Sequence, residues 1–170
     1  MTLSYPSLFW PGSFHPITYS GLKLNVHPLI VHFPIALLTV GAASEYIGFA
    51  FRKDLGSNLG YVLLLVGTVS IIAAAYTGDS NAETAADIAE IEESLEQHED
   101  LGTAGTWIAV ALSLFRTHLL FKKQFTGTAR KFCLVLYLAV AVLVAASGYT
   151  GGHLVFHFGA GTRIAQPPAN

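Results

Sequence analysis

The side chains of this sequence best suited to chemistry are its seven histidines, and they are unevenly placed. His27 and His32 stand five residues apart at the start of one apolar run. His98 precedes a second apolar run, and His153 and His157 close another. Neutral imidazole is the commonest protein ligand of metals, and it titrates near neutral pH. Metal binding and proton transfer are therefore the chemistries that these residues could perform.

The elements that must position the histidines are membrane helices. Of the 170 residues, 52% are hydrophobic and 12% are charged, whereas soluble domains contain about 25% charged residues. Four apolar runs are long enough, or nearly so, to cross a hydrocarbon core of about 30 Å as helices. We therefore predict an all-α, polytopic membrane protein whose partner is the lipid bilayer, with no nucleic-acid partner. Its spans would cover about residues 28–51, 59–77, 101–121 and 132–151.

Three segments make up the predicted domain organisation. Residues 1–26 are rich in aromatic residues and proline, and they lack the basic start and continuous apolar core of a cleaved signal peptide. We expect this segment to lie at the membrane interface or against a partner. Residues 27–158 form the four-helix transmembrane domain, and residues 159–170 form a C-terminal tail.

The connection between the second and third spans is expected to be helical. Ile88, Ile91, Leu95 and His98 follow one another at spacings of three, four and three residues. This is the stripe of a helix with one buried face, and it predicts an amphipathic helix over about residues 84–98. His98 is then expected to point in the same direction as the apolar residues, toward the bundle.

Charge is strongly segregated along the sequence. Nine of the eleven acidic residues lie between Asp79 and Asp100, with no Lys or Arg among them. Seven of the nine basic residues lie near the connections from span one to span two and from span three to span four. Basic loops stay in the cytoplasm. We therefore predict a multi-pass protein of the bacterial inner membrane with both termini periplasmic and every histidine except His118 on the periplasmic side.

The sequence also indicates an internal duplication. Tyr-Thr-Gly ends the second span at residues 76–78 and recurs at the end of the fourth span at residues 149–151. A displacement of nearly the same size relates His27 to His98. The bundle is thus predicted to consist of two tandem helical hairpins of the same orientation, related by an axis along the membrane normal. Alternatively, tyrosine and small residues simply recur at helix ends near the interface.

Cofactor ligation is the favoured use of the histidines, because ionisable residues in membrane bundles usually face the interior and carry function. One haem b, or two, would take an imidazole on each face of the ring, with small residues where the ring passes between helices. Copper or zinc would be alternatives. The candidates are the ligands His98, His32, His153 and His27, the glycines Gly102, Gly105, Gly151 and Gly152, and Asp79, which would accept a hydrogen bond from a ligand imidazole.

The ligand candidates can be ranked. His98 comes first, because its helical stripe faces inward. His32 is preferred to His27, because it lies further into its apolar run and burial would demand a polar partner. His153 follows, since the neighbouring glycines would admit a ring edge. His27 would complete a second ligand pair if two haems bind.

Other residues receive simpler interpretations. Pro34 is expected to bend the first helical turns. Glu45 is expected to hydrogen-bond to a nearby Ser or Thr, with a role in proton or quinone binding as the alternative. Arg116 and His118 are expected to extend to the cytoplasmic headgroups. Cys133 is the only cysteine of the sequence, which excludes an intrachain disulfide, a cysteine-rich metal site and c-type haem attachment.

These features favour a haem b electron-transfer protein or subunit that connects the quinone pool with a periplasmic carrier. A non-redox accessory subunit of a larger respiratory or photosynthetic complex is the first alternative, and a metal-binding membrane protein is the second. An electron-transfer or accessory subunit, with other membrane subunits as partners, is favoured over a stand-alone enzyme.

The motifs HPLIVHFPIAL at residues 27–37 and GGHLVF at residues 151–156 resemble a family of small four-helix bacterial membrane proteins, known as domain of unknown function 2231. The resemblance spans about Asn25 to Thr162, although GAGT at residues 159–162 departs from the family's Gly-x-Gly-Val. It implies the four-helix fold but no particular activity, and the layout is also similar to that of four-helix membrane cytochromes b. The histidine positions that it implies are those of His27, His32, His98 and His153.

Overall fold

The computed structural model describes residues 27–85 and 91–159, with the backbone alone at residues 28 and 79–85. All regular structure in this part of the chain is helical, which confirms the all-α prediction. The helices are α1 (His27–Ile30), α2 (His32–Ala50), α3 (Asp54–Ala85), α4 (Glu92–Phe121) and α5 (Gly127–Phe158). The predicted N-terminal segment and all but the first residue of the predicted C-terminal tail lie outside the described residues.

The four long helices confirm the prediction of four membrane spans. Each is long and apolar enough to cross a membrane, and in each about one third of the most apolar stretch is buried against the other helices. The remaining surface carries large exposed hydrophobic side chains, as a helix in contact with lipid requires. The helices are longer than the predicted spans, because α3 begins before residue 59 and α5 continues beyond residue 151.

The predicted amphipathic segment is divided between two long helices. Residues 84–85 end α3, whereas residues 92–98 form the first turns of α4. Acidic side chains in the first turn of α4 favour a helix start there, because they interact well with the positive end of the helix dipole. Ile91 is fully buried and His98 is half-buried, which confirms the inward face. Ile88 lies outside the described residues.

A proline interrupts the first span. Pro34 has no N–H and cannot donate to the carbonyl of Ile30, so the helical hydrogen-bond ladder is broken there. The break between α1 and α2 falls at Val31, whose N–H still donates to the His27 carbonyl at 3.0 Å. The N–H of Ile35 reaches the Val31 carbonyl only at 3.4 Å. The disturbance predicted at Pro34 is confirmed, and it makes α1 a separate turn that carries His27.

The bundle is a closed ring of two helical hairpins. Helix α2 packs on α3 and α4 packs on α5 within the hairpins, while α2 also packs on α5 and α3 on α4 between them. The short α1 lies against α3. Burial of apolar side chains between all four spans forms one core, which includes Leu38, Leu64, Ala109, Leu112, Tyr137 and Val140.

The second helices of the two hairpins match in length, and the hairpins match in register, as the predicted duplication requires. Helices α3 and α5 both contain 32 residues. If α3 is shifted along the sequence by the displacement between the two Tyr-Thr-Gly sequences, its first and last residues coincide with those of α5. The last residues of α2 and α4 are related by the displacement that relates His27 to His98. The turns that follow match as well, because Arg52 (φ 54°) and Lys123 (φ 55°) are both left-handed and are related by that same displacement. The two displacements differ slightly because the connection from α4 to α5 is longer than that from α2 to α3.

Candidate functional site

His27 packs against the last turns of α3. His98 and His153 lie at the same end of the bundle, which we call the histidine end. The Nδ1 atom of His27 lies 3.1 Å from Thr77 Oγ1. That hydroxyl directs its only proton to the carbonyl oxygens of Ala73 and Ala74, at 3.1 and 3.0 Å, and therefore accepts from Nδ1–H. The neutral imidazole then carries its lone pair on Nε2.

His98 forms the same arrangement with α5. Its Nδ1 lies 2.9 Å from the carbonyl oxygen of Ser147 and 3.2 Å from Thr150 Oγ1. Because a carbonyl oxygen only accepts, Nδ1 of His98 is the donor, and the lone pair of the neutral ring is again on Nε2. The orientation of His98 toward the bundle, predicted from its helical stripe, is confirmed.

A glycine lies beside each of these two imidazoles. A Cβ added at Gly78 would lie 3.2 Å from Cε1 of His27, and one added at Gly151 would lie 3.0 Å from Cε1 of His98. Each unit therefore consists of a histidine, a threonine and the glycine that follows the threonine. The repeated Tyr-Thr-Gly supplies the last two residues of both units.

The environment of His27 favours its neutral form. Burial lowers the pKa of His27 below its ordinary value of 6.5, a hydrogen bond to the Ala74 carbonyl opposes this, and a charge on His98 lowers it further. The local environment thus favours the neutral imidazole of His27. That is the form of the side chain that binds a metal.

The other two ligand candidates lie elsewhere. His32 is exposed, so the burial argument that ranked it above His27 is wrong. His153 is half-buried and stacks on the exposed His157, with ring centroids 4.0 Å apart and planes at 16°. This second pair lines a cavity of about 320 Å³ on the outer surface of α5, together with Gly148, Tyr149, Gly152 and Phe156.

The glycines expected to admit a ring have different surroundings. A Cβ at Gly102 or Gly105 would meet side chains across the helix interface at 3.5 and 3.6 Å, an ordinary contact, so these glycines serve helix packing. Gly151 lies beside an imidazole, whereas a Cβ added at Gly152 would meet nothing within 4 Å. The Asp79 side chain is outside the described part of the chain, as is His15. Among the side chains that the structure describes, no three His, Cys, Asp or Glu residues converge to hold a metal ion.

A polar cluster at the opposite end was missed by sequence reasoning. Glu45 and Arg116 form an ion pair at 2.6 Å, with each side chain only 2% exposed. Ser57 Oγ lies 3.1 Å from both carboxylate oxygens of Glu45, and Arg130 Nε lies 3.6 Å from one of them. The hydrogen bond predicted between Glu45 and a serine is confirmed. The prediction that Arg116 extends to the headgroups is wrong, because the Glu45 carboxylate and the Ser57 carbonyl hold its guanidinium inside the bundle.

The duplication is the signal that could have revealed this cluster. The displacement from His27 to His98 also relates Glu45 to Arg116. The displacement between the two Tyr-Thr-Gly sequences relates Ser57 to Arg130. Equivalent positions that face a two-fold axis must lie close to each other. An acidic residue and a basic residue at such positions are therefore expected to pair.

Comparison with known proteins agrees with this architecture. The family described as "Predicted membrane protein (DUF2231)" matches residues 23–163, a range that includes both hairpins and both histidine units. No curated protein and no solved structure matches the chain. The matched range covers most of the sequence and all four spans. The chain belongs to this family of membrane proteins, DUF2231.

Proposed function

We propose that this membrane protein binds haem b through His27 and His98 and transfers electrons between the quinone pool and a carrier at the histidine end. The repeated histidine unit is the observation that carries the proposal. In each unit the imidazole donates from Nδ1 to a helix and keeps its lone pair on Nε2. Metal-ligating histidines are oriented in this way, with the second nitrogen bonded to a carbonyl, carboxylate or water.

The number and kind of side chains support haem as the ligand of this pair. Each hairpin contributes one imidazole, and the two axial positions of a haem iron require two. The neutral form that ligation needs is favoured at His27. Because Gly102 and Gly105 already pack across the helix interface, the macrocycle would pass beside other surfaces of the bundle. The bound haem would supply one-electron chemistry, while the protein residues hold and orient it.

The second histidine pair supports a quinone as the lipid-soluble partner. His153 and His157 line a cavity whose other walls are two glycines and two aromatic side chains. Its volume of about 320 Å³ falls within the range of about 300–1,000 Å³ that small-molecule sites occupy. Imidazole N–H groups can donate to a quinone carbonyl, and the lipid-facing position admits a carrier dissolved in the bilayer.

The charge distribution supports the orientation that this function needs. We call the end of the bundle opposite the histidines the basic end. Basic ends face the cytoplasm, so the histidine end would face the periplasm and a carrier there. The basic residues at the basic end of the bundle are Arg52, Lys53, Arg116, Lys122, Lys123, Arg130 and Lys131.

A difference spectrum of the purified protein, reduced minus oxidised, tests the proposal when the protein is produced with adequate haem. An α-band of b-type haem is expected. His27→Ala and His98→Ala should each lower bound haem per folded protein by about tenfold or more. His32→Ala and His118→Ala are the matched controls, because both side chains are exposed.

Three results would contradict parts of this proposal. Absence of the α-band would reject haem, and metal analysis would then decide between copper or zinc binding and a non-redox accessory subunit. Loss of haem in His118→Ala with retention in His98→Ala would overturn the ligand assignment. Unchanged quinone reduction in His153→Ala and His157→Ala would remove the second pair from the quinone site.

A further inference from the structure

The polar cluster at the basic end has an excess of positive charge. Arg116 and Arg130 both approach the carboxylate of Glu45, which is the only acidic group in ion-pair contact with them among the described residues. The Arg116 side chain is 2% exposed and that of Arg130 is 24% exposed. Charges inside a membrane bundle are costly unless they are compensated. One further negative charge would balance the two guanidinium groups.

Arg130 also has hydrogen-bond donors without acceptors. Its Nε and Nη2 atoms are buried and have no hydrogen-bond partner among the described residues. Its guanidinium carbon lies 5.5 Å from the ring centroid of Phe49 and 5.9 Å from that of Phe125. These aromatic rings hold the guanidinium in place by cation–π contact, but they accept no conventional hydrogen bond. Glu45 and the two aromatic rings therefore leave part of the hydrogen-bonding capacity of Arg130 unused.

A cavity of about 550 Å³ is lined in part by the Arg130 side chain. Its lining consists of Phe49, Ala50, Arg52, Asp54 and Arg130. It lies where α2 ends and α3 begins, beside the first turn of α5. The ends of membrane spans lie at the depth of the lipid headgroups. Two arginines and one aspartate give this cavity a positive balance.

We infer that this cavity binds a phosphate group, carried by an anionic phospholipid or free in solution. Guanidinium groups match the oxygens of phosphate with paired, charge-assisted hydrogen bonds. The phosphate accepts from Arg130 and Arg52 and supplies the negative charge that Glu45 alone does not. Asp54, which also lines the cavity, disfavours more highly charged anions. The site is independent of the haem proposal, because it lies at the opposite end of the bundle.

Retention of lipid by the purified full-length protein tests this inference. Delipidated protein in non-ionic detergent is titrated with phosphatidylglycerol or phosphatidylcholine, and native mass spectrometry counts the bound lipid. The protein is expected to prefer phosphatidylglycerol, and Arg130→Gln to weaken that binding by about tenfold. Arg52→Gln should weaken it less. Lys131→Gln is the matched control, because Lys131 is exposed next to Arg130 but does not line the cavity.

A second arm replaces the lipid with inorganic phosphate and measures its binding by calorimetry. Binding of both ligands, lost in Arg130→Gln, identifies a general phosphate site, whereas binding of lipid alone identifies a headgroup site. Equal losses in Arg130→Gln and Lys131→Gln would overturn the inference, because they would reflect surface charge only. Absence of any preference for phosphatidylglycerol, together with no phosphate binding, would overturn it as well. If circular dichroism shows that Arg130→Gln does not fold, Arg52→Gln decides, because the arginines that pair with Glu45 in the described residues are Arg116 and Arg130.

Discussion

The two hairpins use their equivalent positions in opposite ways at the two ends of the bundle. At the histidine end the equivalent positions hold the same residues, a histidine with a threonine and a glycine. At the basic end they hold complementary residues, since Glu45 of one hairpin pairs with Arg116 of the other. Identical imidazoles cannot form an ion pair, but they can share one ligand. The basic end thus joins the hairpins by an ion pair, whereas the histidine end places two like groups at equivalent positions.

Removing the Glu45 carboxylate should have the largest effect on stability. Glu45→Ala leaves the Arg116 guanidinium buried without its counter-charge, which costs about 3–5 kcal/mol of unfolding free energy. Unfolding in mixed detergent and dodecyl sulphate micelles measures this loss. Glu96→Ala is the matched control, because Glu96 is exposed at the other end of the bundle.

The double variant Glu45→Arg with Arg116→Glu tests the pseudo-symmetry itself. If the two positions are equivalent, exchanging the charges restores part of the stability that either single variant loses. The double variant could instead be no more stable than the less stable of the two single variants. That result would show that the surrounding residues, and not the pairing alone, fix which charge each hairpin carries.

At the histidine end, adding a methyl group beside each imidazole should impair both units alike. Gly78→Ala and Gly151→Ala would place Cβ at 3.2 and 3.0 Å from the two rings, closer than ordinary contact. Each ring must move, and we expect bound haem to fall by roughly tenfold, the effect of disturbing the support of a metal ligand. Gly152→Ala should retain haem, because nothing lies within 4 Å of its Cβ. If Gly151→Ala binds as much haem as Gly152→Ala, the unit that contains His98 does not take part in haem ligation.

The sequence predicts the spans, the hairpins and the inward face of His98, because each depends on a pattern repeated over many residues. It fails for single polar residues near the ends of spans. His32 and His27 look alike in sequence, yet packing against α3 leaves His27 half-buried while His32 is exposed. The long side chain of Arg116 can reach the surface, which is why the sequence alone predicts it there, but a carboxylate on the other hairpin holds it inside. Such contacts between hairpins can be predicted from the sequence only when each polar residue of one hairpin is compared with the equivalent residue of the other.

Between the two ends, a hydrogen bond links the hairpins and should contribute a smaller amount. Thr68 Oγ1 and Ser113 Oγ lie 2.8 Å apart, and both residues are buried. Thr68→Val should lower the unfolding free energy by about 0.5–1 kcal/mol, the usual range for hydrogen bonds between membrane helices. A double-mutant cycle with Ser113→Ala measures the coupling. A coupling energy of zero would show that this hydrogen bond does not contribute to the stability of the bundle.

The smallest expected effect is the pH dependence that His27 gives to haem-free protein. The pKa of His27 is lowered in the folded state, first by burial, so the unfolded chain binds this proton more readily. The contribution of His27 to stability is therefore complete above its ordinary value of 6.5 and is lost as the pH falls below that value. His27→Gln should remove this part of the pH dependence when unfolding is measured between pH 7.5 and 5 (roughly the window in which an imidazole changes charge).

His98→Gln should reduce the same pH dependence, because the charge of His98 contributes to the lowered pKa of His27. If His98→Gln leaves the pH dependence attributable to His27 unchanged, the two histidine units act separately, and the resemblance between the hairpins at this end would not extend to a shared ligand.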